Sequence, residues 1–298
     1  MATDRMTVVV ITRDRREQLL ETLAHMIALP DAAPIILVDN ASSDSTADAV
    51  AAAFPSVELI RSPDNLGAVA RNIAVERART PYVAFCDDDT QWQPGSLARA
   101  ADLLDRYPGL GSVTGRCLVA PDLHEDPITP KLRDSPVSGP DWLPGPALLG
   151  VMAALSAFRV SAFREVGGFS RHLWFGGEEE LLALDLAAHG GWMCWVPDMV
   201  IHHAPSRIRN STHRRGLGIR NTLWTLWLRR PVRSAARRTA VVLRSAPADL
   251  ATAGAVLESL RGLPWVLRER KVVPSHVEAG LVLLEESQRR SPARRYVG

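Results

Sequence analysis

The sequence has few cysteines and no long apolar run. Only Cys86, Cys117 and Cys194 occur among its 298 residues, and their spacing matches neither a CxxC pair nor a metal-ligand pattern. An odd number of cysteines without such spacing argues against a disulfide framework and favours reduced thiols in a cytoplasmic protein. The longest strongly apolar stretch, residues 147–158, is too short to span a bilayer, and "MATDRMTVVVITRDRR" contains no signal peptide. We therefore expect a cytoplasmic protein, with peripheral attachment at the inner membrane face left open.

A glycine-rich dinucleotide motif is also missing. No GxGxxG sequence occurs, and the first apolar run, "MTVVVIT", leads into "RDRR" instead of a glycine turn. This argues against a classical dinucleotide site. The composition is otherwise that of a globular protein with a full core, since 46% of the residues are hydrophobic and 23% are charged.

Charge is distributed unevenly along the chain. Residues 1–203 contain 16 Lys and Arg against 27 Asp and Glu, a balance of −11. Residues 204–298 contain 19 against 6, a balance of +13, so the net charge is +2. The acidic front part would repel phosphates and no nucleic-acid-binding module is apparent, so we expect no nucleic-acid partner.

The first part of the chain alternates β-rich runs with helical stretches. Predicted strands lie at residues 6–12, 34–40, 57–62 and 81–87. Predicted helices lie at residues 16–29, 43–54, 67–79 and 94–107. This alternation implies parallel β-α-β units with strands covered on both faces, so the predicted fold class is α/β.

The later part of the chain is less regular. Residues 121–146 are rich in proline, which predicts a surface loop without regular helix, suited to a lid on the substrate side. From about residue 213 the pattern is helical and basic. We therefore expect a domain over residues 1–205 and a basic helical extension over residues 206–298.

Polar side chains are predicted to meet at the carboxyl ends of the strands, where ligands bind in open α/β sheets. Thr12 and Arg13 follow the first strand, Asp39 ends the second, and three aspartates at 87–89 follow the fourth. Oxygen ligands without neighbouring thiols suit a hard divalent cation, Mg²⁺ or Mn²⁺. Such a cation would relieve the repulsion between the carboxylates and bridge a diphosphate. The alternative is a solvated acidic turn that caps the next helix.

An ordered series of motifs covers residues 6–205. It runs "VVVITRDRREQLLETL", "ILVDNASSDST", "NLGAVARNIAVERARTPYVAFCDDDT", "FREVGGF" and "FGGEEELLALDLAAHGGWMCWVPDMVIHH". This series resembles the family 2 inverting glycosyltransferases with the GT-A fold. The resemblance implies a Rossmann-like, mostly parallel sheet flanked by helices, with a nucleotide-sugar half over 1–115 and an acceptor half over 116–205.

The resemblance also implies roles for individual residues. The second-strand aspartate would contact the nucleotide, the Asp-x-Asp motif would hold the metal, and Asp88 would contact nucleotide or sugar. Thr12 and Arg71 would lie beside the base and phosphates. The donor-binding set is Thr12, Arg13, Asp39, Arg71, Asp87 and Asp88, and the metal set is Asp87, Asp89 and His203.

The catalytic base is expected in "GGEEELLALDL". The family usually has Glu-Asp here, and counting back from "GGW" matches that pair with Glu179 and Glu180. The resemblance thus implies Glu180 as the base, with Glu179 as second choice. An inverting transfer needs one such carboxylate to take the acceptor's proton as the acceptor attacks C1. The alternative is that these glutamates only complement the helix dipole.

The histidines before the tail leave two interpretations open. His202 and His203 could both be packed side chains, or one could complete the metal shell. Strand alternation sends them to opposite faces, and the resemblance favours His203.

The basic tail also leaves alternatives open. It contains one apolar set with helical spacing, which predicts either a core-packing face or an amphipathic helix that docks on anionic lipid. That set is Leu223, Trp224, Leu226, Trp227 and Leu228. Arg214 and Arg215 could instead contact the donor diphosphate.

The resulting hypothesis is a metal-dependent inverting glycosyltransferase. It would move a sugar from a nucleotide-diphosphate donor to a hydroxyl or amine, with a glycan, lipid-linked or small-molecule acceptor all open. Membrane contact through the basic helices and a homodimer are open as well.

Two rival hypotheses come from other classes of protein. A haloacid-dehalogenase-like phosphatase would use Asp87 as nucleophile in its Asp-x-Asp-x-Thr motif, but after Asp89 the chain has only Lys131 and Lys271 and no second Asp-Asp. A catalytically inactive sugar-binding scaffold is the second rival.

Overall fold

The computed structural model describes residues 4–205 and 211–290 and contains one mixed sheet with helices on both faces. The strands are β1 (Met6–Thr12), β2 (Ile35–Asp39), β3 (Glu58–Arg61), β4 (Tyr82–Asp87), β5 (Thr90–Trp92), β6 (Leu110–Val119), β7 (His124–Glu125), β8 (Ser156–Arg159) and β9 (Trp192–His203). The helices are α1 (Arg16–Ile27), α2 (Thr46–Ala53), α3 (Ala70–Arg77), α4 (Ser96–Arg106), α5 (Thr129–Arg133), α6 (Val160–Glu165), α7 (Glu178–Ala188), α8 (Ser211–Arg229), α9 (Val232–Ser245), α10 (Leu250–Arg261), α11 (Leu263–Arg268) and α12 (Ser275–Arg290).

The sheet has the order β3-β2-β1-β4-β8-β6-β9-β5, with β7 paired to β6. The first four strands pair in parallel, as the β-α-β alternation predicts. Beyond β4, strand β8 is antiparallel to both β4 and β6, whereas β6 and β9 are parallel. The α/β prediction is confirmed, and the carboxyl ends of β1, β2 and β4 lie at one edge.

Apolar residues on alternate sides of the strands build two cores. Val8 and Val10 of β1 face α1 and α4 and pack with Leu19 and Leu97. On the opposite face, Val9 belongs to a second core with residues of α3, α6 and α7. Burial on both faces explains why these strands are continuous apolar runs.

The proline-rich segment 121–146 is more regular than the composition predicts. It contains the short strand β7 and the helix α5, so the prediction of a loop without regular helix was wrong for Thr129–Arg133. Pro130 lies in the first turn of α5, where a missing N–H costs nothing. The expected domain boundary at residue 206 lies outside the described residues.

The apolar face of α8 is buried, which confirms its prediction as a core-packing face. Leu223, Trp224, Leu226 and Leu228 are all buried, in contact with α10 and α11 residues or with the loop before α7. Across residues 4–205 and 211–290, no helix combines the length and the apolar character needed to cross a bilayer.

Candidate active site

A cavity of about 500 Å³ opens at the carboxyl ends of β1 and β4. Its walls come from all three predicted parts of the chain: strand ends of the first half, the segment 117–128 and loop residues of the second, and the start of α8. The polar residues lining it are Thr12, Arg13, Arg15, Asn40, Asn65, Arg71, Asp87, Asp88, Asp89, Thr90, Asp126, His203, His213 and Arg214. A cavity of this size can hold a small ligand.

The turn after β4 brings carboxylates and cations together. Asp87 accepts a hydrogen bond of 2.5 Å from Nη2 of Arg71 on α3. Arg71 is only 4% exposed, packs over the rings of Phe85 and Phe169, and has no hydrogen-bond partner at Nε or Nη1 among the described residues. A buried guanidinium with free donors is suited to binding an anion.

Asp88 and Asp89 are buried, so the interpretation of a solvated turn was wrong. Asp88 accepts a 3.0 Å hydrogen bond from Oγ1 of Thr12, and Nη1 of Arg15 lies 3.5 Å from Asp88 and 3.6 Å from Asp89. Burial raises the pKa of Asp88 to about 7, with smaller contributions from the neighbouring aspartates and an opposing one from Arg15. Buried carboxylates this close create a strong demand for positive charge.

The two histidines at the end of β9 point to different places. His203 lines the cavity, with Nε2 3.8 Å from Oδ2 of Asp89. His202 instead lies near His25 of α1, and burial lowers its pKa. One possible metal ligand atom from each of Cys117, Asp126 and His203 lies within 4.8 Å of the others. The predicted set Asp87, Asp89 and His203 is not among the groups whose ligand atoms lie this close together in the described residues; within it, His203 approaches Asp89. Cys117 and Asp126, which the sequence did not predict as ligands, lie beside His203 instead.

The carboxyl end of β2 lies beside that of β1, on the side away from β4. Asp39 pairs with Thr12 across the β1–β2 ladder, and its Oδ2 accepts from the backbone N–H of Ser42. Its Oδ1 is buried and has no hydrogen-bond partner in the described part of the chain. Arg13 lines the cavity and pairs at 3.3 Å with Asp14. The unpaired Oδ1 of Asp39 could accept a hydrogen bond from a hydroxyl or N–H group of a ligand.

The three glutamates at the start of α7 lie in two different electrostatic environments. The charges that act on Glu178 and Glu179 are those of Arg71 and Asp87 in the cavity. The charges that act on Glu180 are those of the C-terminal helices, with Arg238 and Arg230 the largest. The structure therefore brings Glu179 to the aspartate cluster and turns Glu180 towards the extension.

Glu179 is held against the cavity wall. Its Oε1 accepts from the backbone N–H of Ala153, which lies between two cavity-lining residues, Met152 and Ala154. Burial and the adjacent Glu178 raise the pKa of Glu179 to about 8, whereas the Ala153 N–H and Arg71 act in the opposite direction. Burial likewise raises the pKa of Glu178.

The extension fixes the loop that precedes α7. Nδ2 of Asn221 on α8 donates to the carbonyl oxygens of Leu173, Phe175 and Gly176. On the cavity side, Arg214 lies 4.9 Å over the ring of Phe175, while the next residue, Arg215, pairs with Asp249 before α10. Of the two arginines proposed for the diphosphate, only Arg214 lines the cavity.

A close contact joins this loop to the segment before α3. Gly67 has φ +59°, and a Cβ there would lie 2.4 Å from the carbonyl oxygen of Trp174. Trp174 also donates from Nε1 to the carbonyl of Asn65. Only glycine allows this approach, which packs the loop before α7 against residues 65–67.

Sequence patterns did not identify several cavity residues. Arg15, Asn65, Asp126 and Trp174 all line the cavity. Arg15 lies three residues after the end of β1 at Thr12, so a strand-end criterion extended by two residues could have found it. Asp126 and Trp174 lie in irregular segments, where no periodicity indicates direction.

Comparison with known proteins agrees with this architecture. The family model described as "Glycosyl transferase family 2" matches residues 7–167, more than half of the chain. A similar curated protein is the N-acetylglucosaminyl-diphospho-decaprenol L-rhamnosyltransferase of Mycobacterium tuberculosis. It is 29% identical over 240 residues, covering 67% of this chain and 76% of the relative.

Solved structures share the fold at low sequence identity. The mannosyltransferase PcManGT from Pyrobaculum calidifontis, in complex with GDP-Man and Mn²⁺, has a TM-score of 0.59 at 20% identity and covers 98% of this chain and 88% of its own. S. aureus TarS 1–349, in complex with UDP-GlcNAc, has a TM-score of 0.60 at 14% identity, with 98% and 93% covered.

Proposed function

The chain belongs to glycosyl transferase family 2 and has the GT-A fold, and from this premise we propose that it transfers a sugar from a nucleotide-diphosphate donor with inversion at C1. The observation that carries the proposal is one cavity lined by Arg71 and the aspartates after β4, with Glu179 close enough behind its wall to be influenced by the charges of Arg71 and Asp87. The carboxyl edge of a parallel sheet is where such folds bind nucleotides.

Donor binding would use residues at the carboxyl ends of β1 and β2 together with arginines from α3 and α8. The free Oδ1 of Asp39 supports a contact with the nucleoside, next to Thr12 and Arg13. The free donors of Arg71 support a contact with the diphosphate, and Arg214 lines the same cavity. A buried guanidinium holds phosphate oxygens in a fixed orientation, so these residues would orient the donor's leaving group.

A divalent cation would be held by Asp87, Asp89 and His203. The carboxylates and imidazole support this set, and PcManGT is described in complex with Mn²⁺. Mg²⁺ and Mn²⁺ both fit oxygen-rich donors. When bound, the cation would supply positive charge to the departing diphosphate. Asp88 would remain free to contact nucleotide or sugar.

Glu179 is our proposed general base, in preference to Glu180. Its contact with the Ala153 N–H and its electrostatic interaction with Asp87 support a location at the reacting end of the donor. The acceptor O–H or N–H would give its proton to Glu179 while its O or N bonds to C1. The C1–O bond to the nucleoside diphosphate breaks at the same time, and the diphosphate leaves with the electron pair. A pKa near 8 makes the ionised carboxylate a strong base.

The acceptor is a hydroxyl or amine of a glycan, a lipid-linked intermediate or a small molecule. The mycobacterial relative is named for L-rhamnose transfer to N-acetylglucosaminyl-diphospho-decaprenol. That name makes a rhamnose nucleotide and a lipid-diphosphate sugar the first pair to test. Membrane contact and a homodimer remain predictions.

The two rivals are not favoured. A phosphatase would need Asp87 as a free nucleophile, but its carboxylate is hydrogen-bonded to Arg71 and the chain belongs to another family. An inactive scaffold would not need to retain a carboxylate with a raised pKa beside Arg71 and Asp87.

The test is release of nucleoside diphosphate from a panel of nucleotide sugars, with Mn²⁺, with Mg²⁺ and with a chelator. We expect slow donor hydrolysis with one nucleotide sugar, dependent on the cation, and faster release once an acceptor is added. Asp89→Asn should lower release about 100-fold or more, since it removes a ligand from the leaving-group site.

The matched control is Asp198→Asn, which changes an exposed aspartate paired with Arg99 at the surface. It should keep wild-type release. Glycan binding by a wild type that hydrolyses no donor would instead support the scaffold.

A further inference from the structure

The C-terminal helices carry a stripe of exposed leucines. Leu250, Leu257, Leu260 and Leu267 are 91%, 49%, 55% and 62% exposed. Their intervals of seven, three and seven residues place them on one helical face. Gly262, between α10 and α11, keeps right-handed helical angles, so the face continues from one helix to the next. We name these four residues the leucine stripe.

The leucine stripe is on a firmly anchored element. The opposite face of α10 contains the buried residues Ala255 and Ser259. Glu258 pairs with Arg220 of α8 at 3.0 Å, and Nε1 of Trp224 donates to the carbonyl of Ser259. Four large apolar side chains are therefore held in solvent by a rigid support, which is typical of an interaction surface.

The stripe begins beside the cavity. Asp249, the residue before Leu250, pairs with Arg215 at the start of α8. The neighbouring residues His213, Arg214 and Leu217 line the cavity. A surface that docks on the stripe would therefore lie next to the wall of the cavity that α8 forms.

The stripe lies in the basic part of the chain, where residues 204–298 contain 19 Lys and Arg against 6 Asp and Glu. Arg261 and Arg268 directly follow Leu260 and Leu267 and are exposed. The acids near the stripe each have a basic partner: Asp249 and Glu258 pair with α8 arginines, and Glu269 lies 3.9 Å from Arg268. An anionic lipid surface matches both the leucines and the basic charge of the extension.

We propose that the leucine stripe docks this chain on an anionic membrane and holds the cavity at the bilayer surface. Leucines would enter the boundary between headgroups and acyl chains, and Arg261 and Arg268 would contact lipid phosphates. Resting on the proposed function, this selects the lipid-linked class of acceptor, because such an acceptor presents its polar end at that surface.

The test is flotation of the full chain with vesicles, without donor or acceptor. Wild type should float with vesicles that mix phosphatidylglycerol and phosphatidylcholine, and much less with phosphatidylcholine alone. The double variant Leu257→Gln, Leu260→Gln should lower binding about tenfold or more, because it removes two apolar side chains from the stripe. Arg261→Gln with Arg268→Gln should lower binding to the anionic vesicles only.

The matched control is Ile27→Gln, which changes an exposed apolar residue on α1 and should bind as wild type does. Thermal unfolding of each variant verifies folding. Wild type that ignores anionic vesicles, or binding that survives the double leucine change, overturns the proposal. A lipid-free dimer that the double leucine change dissociates would also overturn it, in favour of self-association.

Donor hydrolysis, measured on the same samples, separates this proposal from the proposed function. Vesicle binding without hydrolysis would support the docking surface and contradict the proposed enzyme activity. Hydrolysis without vesicle binding would support the enzyme activity and contradict the docking surface.

Discussion

Two runs of three consecutive carboxylates behave differently in this molecule. Asp87–Asp89 occupy the turn between β4 and β5, and all three line the same cavity. Glu178–Glu180 occupy the first turn of α7, and only the first two interact with Arg71. The third interacts with the extension.

Backbone geometry explains the difference. A helix turns by about 100° per residue, so three neighbours on a helix cannot share one direction. A tight turn between strands has no such constraint, and here Arg71, Arg15 and His203 each lie beside one or two of the aspartates. Equal spacing in sequence therefore does not mean equal access to a ligand.

The sharpest test of the comparison changes Glu179. Glu179→Gln should lower transfer about 100- to 10,000-fold, because it removes the proton acceptor and keeps the shape. Donor binding, measured by calorimetry, should stay near wild type. Transfer at the wild-type rate would exclude Glu179 as the base.

The pH dependence of transfer should report the same group. A carboxylate accepts a proton only when ionised, and burial raises the pKa of Glu179 to about 8. The value of kcat/KM should therefore rise about tenfold per pH unit below that pKa and level off above it. A profile flat from pH 6 to 9, measured by nucleoside diphosphate release at constant ionic strength, would contradict this.

The anchoring of α7 by the extension can be weakened at Asn221. Asn221→Ala removes three hydrogen bonds to loop carbonyls and should lower the free energy of unfolding by about 1–3 kcal/mol. Transfer should fall, because the glutamates then lose a fixed position. The control is Asn72→Ala, which removes hydrogen bonds to the backbone of Phe169. It should lower the free energy of unfolding by a similar amount, but its transfer rate should stay above that of Asn221→Ala. Denaturant unfolding and initial rates measure both.

The stability of the aspartate turn after β4 should depend on the positive charge of Arg15, which lies beside Asp88 and Asp89. Arg15→Gln leaves Asp88 and Asp89 with less compensation and should lower the free energy of unfolding by about 1 kcal/mol. Added Mn²⁺ should restore part of the loss in a thermal melt. An unchanged melt would mean that Arg15 does not balance these carboxylates.

The smallest effect is expected at Glu180. Glu180→Gln should keep transfer within about threefold of wild type, since its neighbours are Arg230 and Arg238 and no proton transfer depends on it. A loss like that of Glu179→Gln would reverse our choice and return the base to Glu180.

Sequence patterns predicted the elements of the first half well. The strand at 6–12 matches β1; the second and third predictions are one residue longer than β2 and β3 at each end, and the fourth begins one residue before β4. β1, β2 and β4 are continuous apolar runs buried on both faces, so their composition determines their structure, whereas β3 is a half-exposed edge strand. The helix predicted at 67–79 begins with a 3-10 turn, Gly67–Val69, because Gly67 must accommodate Trp174.

Side-chain direction was harder to predict. The strand-end rule brought Thr12 and the three aspartates to one cavity, and strand alternation separated His202 from His203. No comparable rule could separate Glu179 from Glu180, because that depends on how α7 packs against the sheet and α8. The contribution of α8 itself is a tertiary effect that no local pattern contains.

The hydrogen bonds from Asn221 limit how chimeras of this protein with its relatives can be built. Exchanging the C-terminal helices between relatives, for example to alter membrane preference, would also replace the donor that holds Leu173, Phe175 and Gly176. Such a chimera would have a mismatched support for the loop that precedes α7. The natural crossover point is therefore not the sequence junction after β9, and a successful exchange must carry the loop and α8 together.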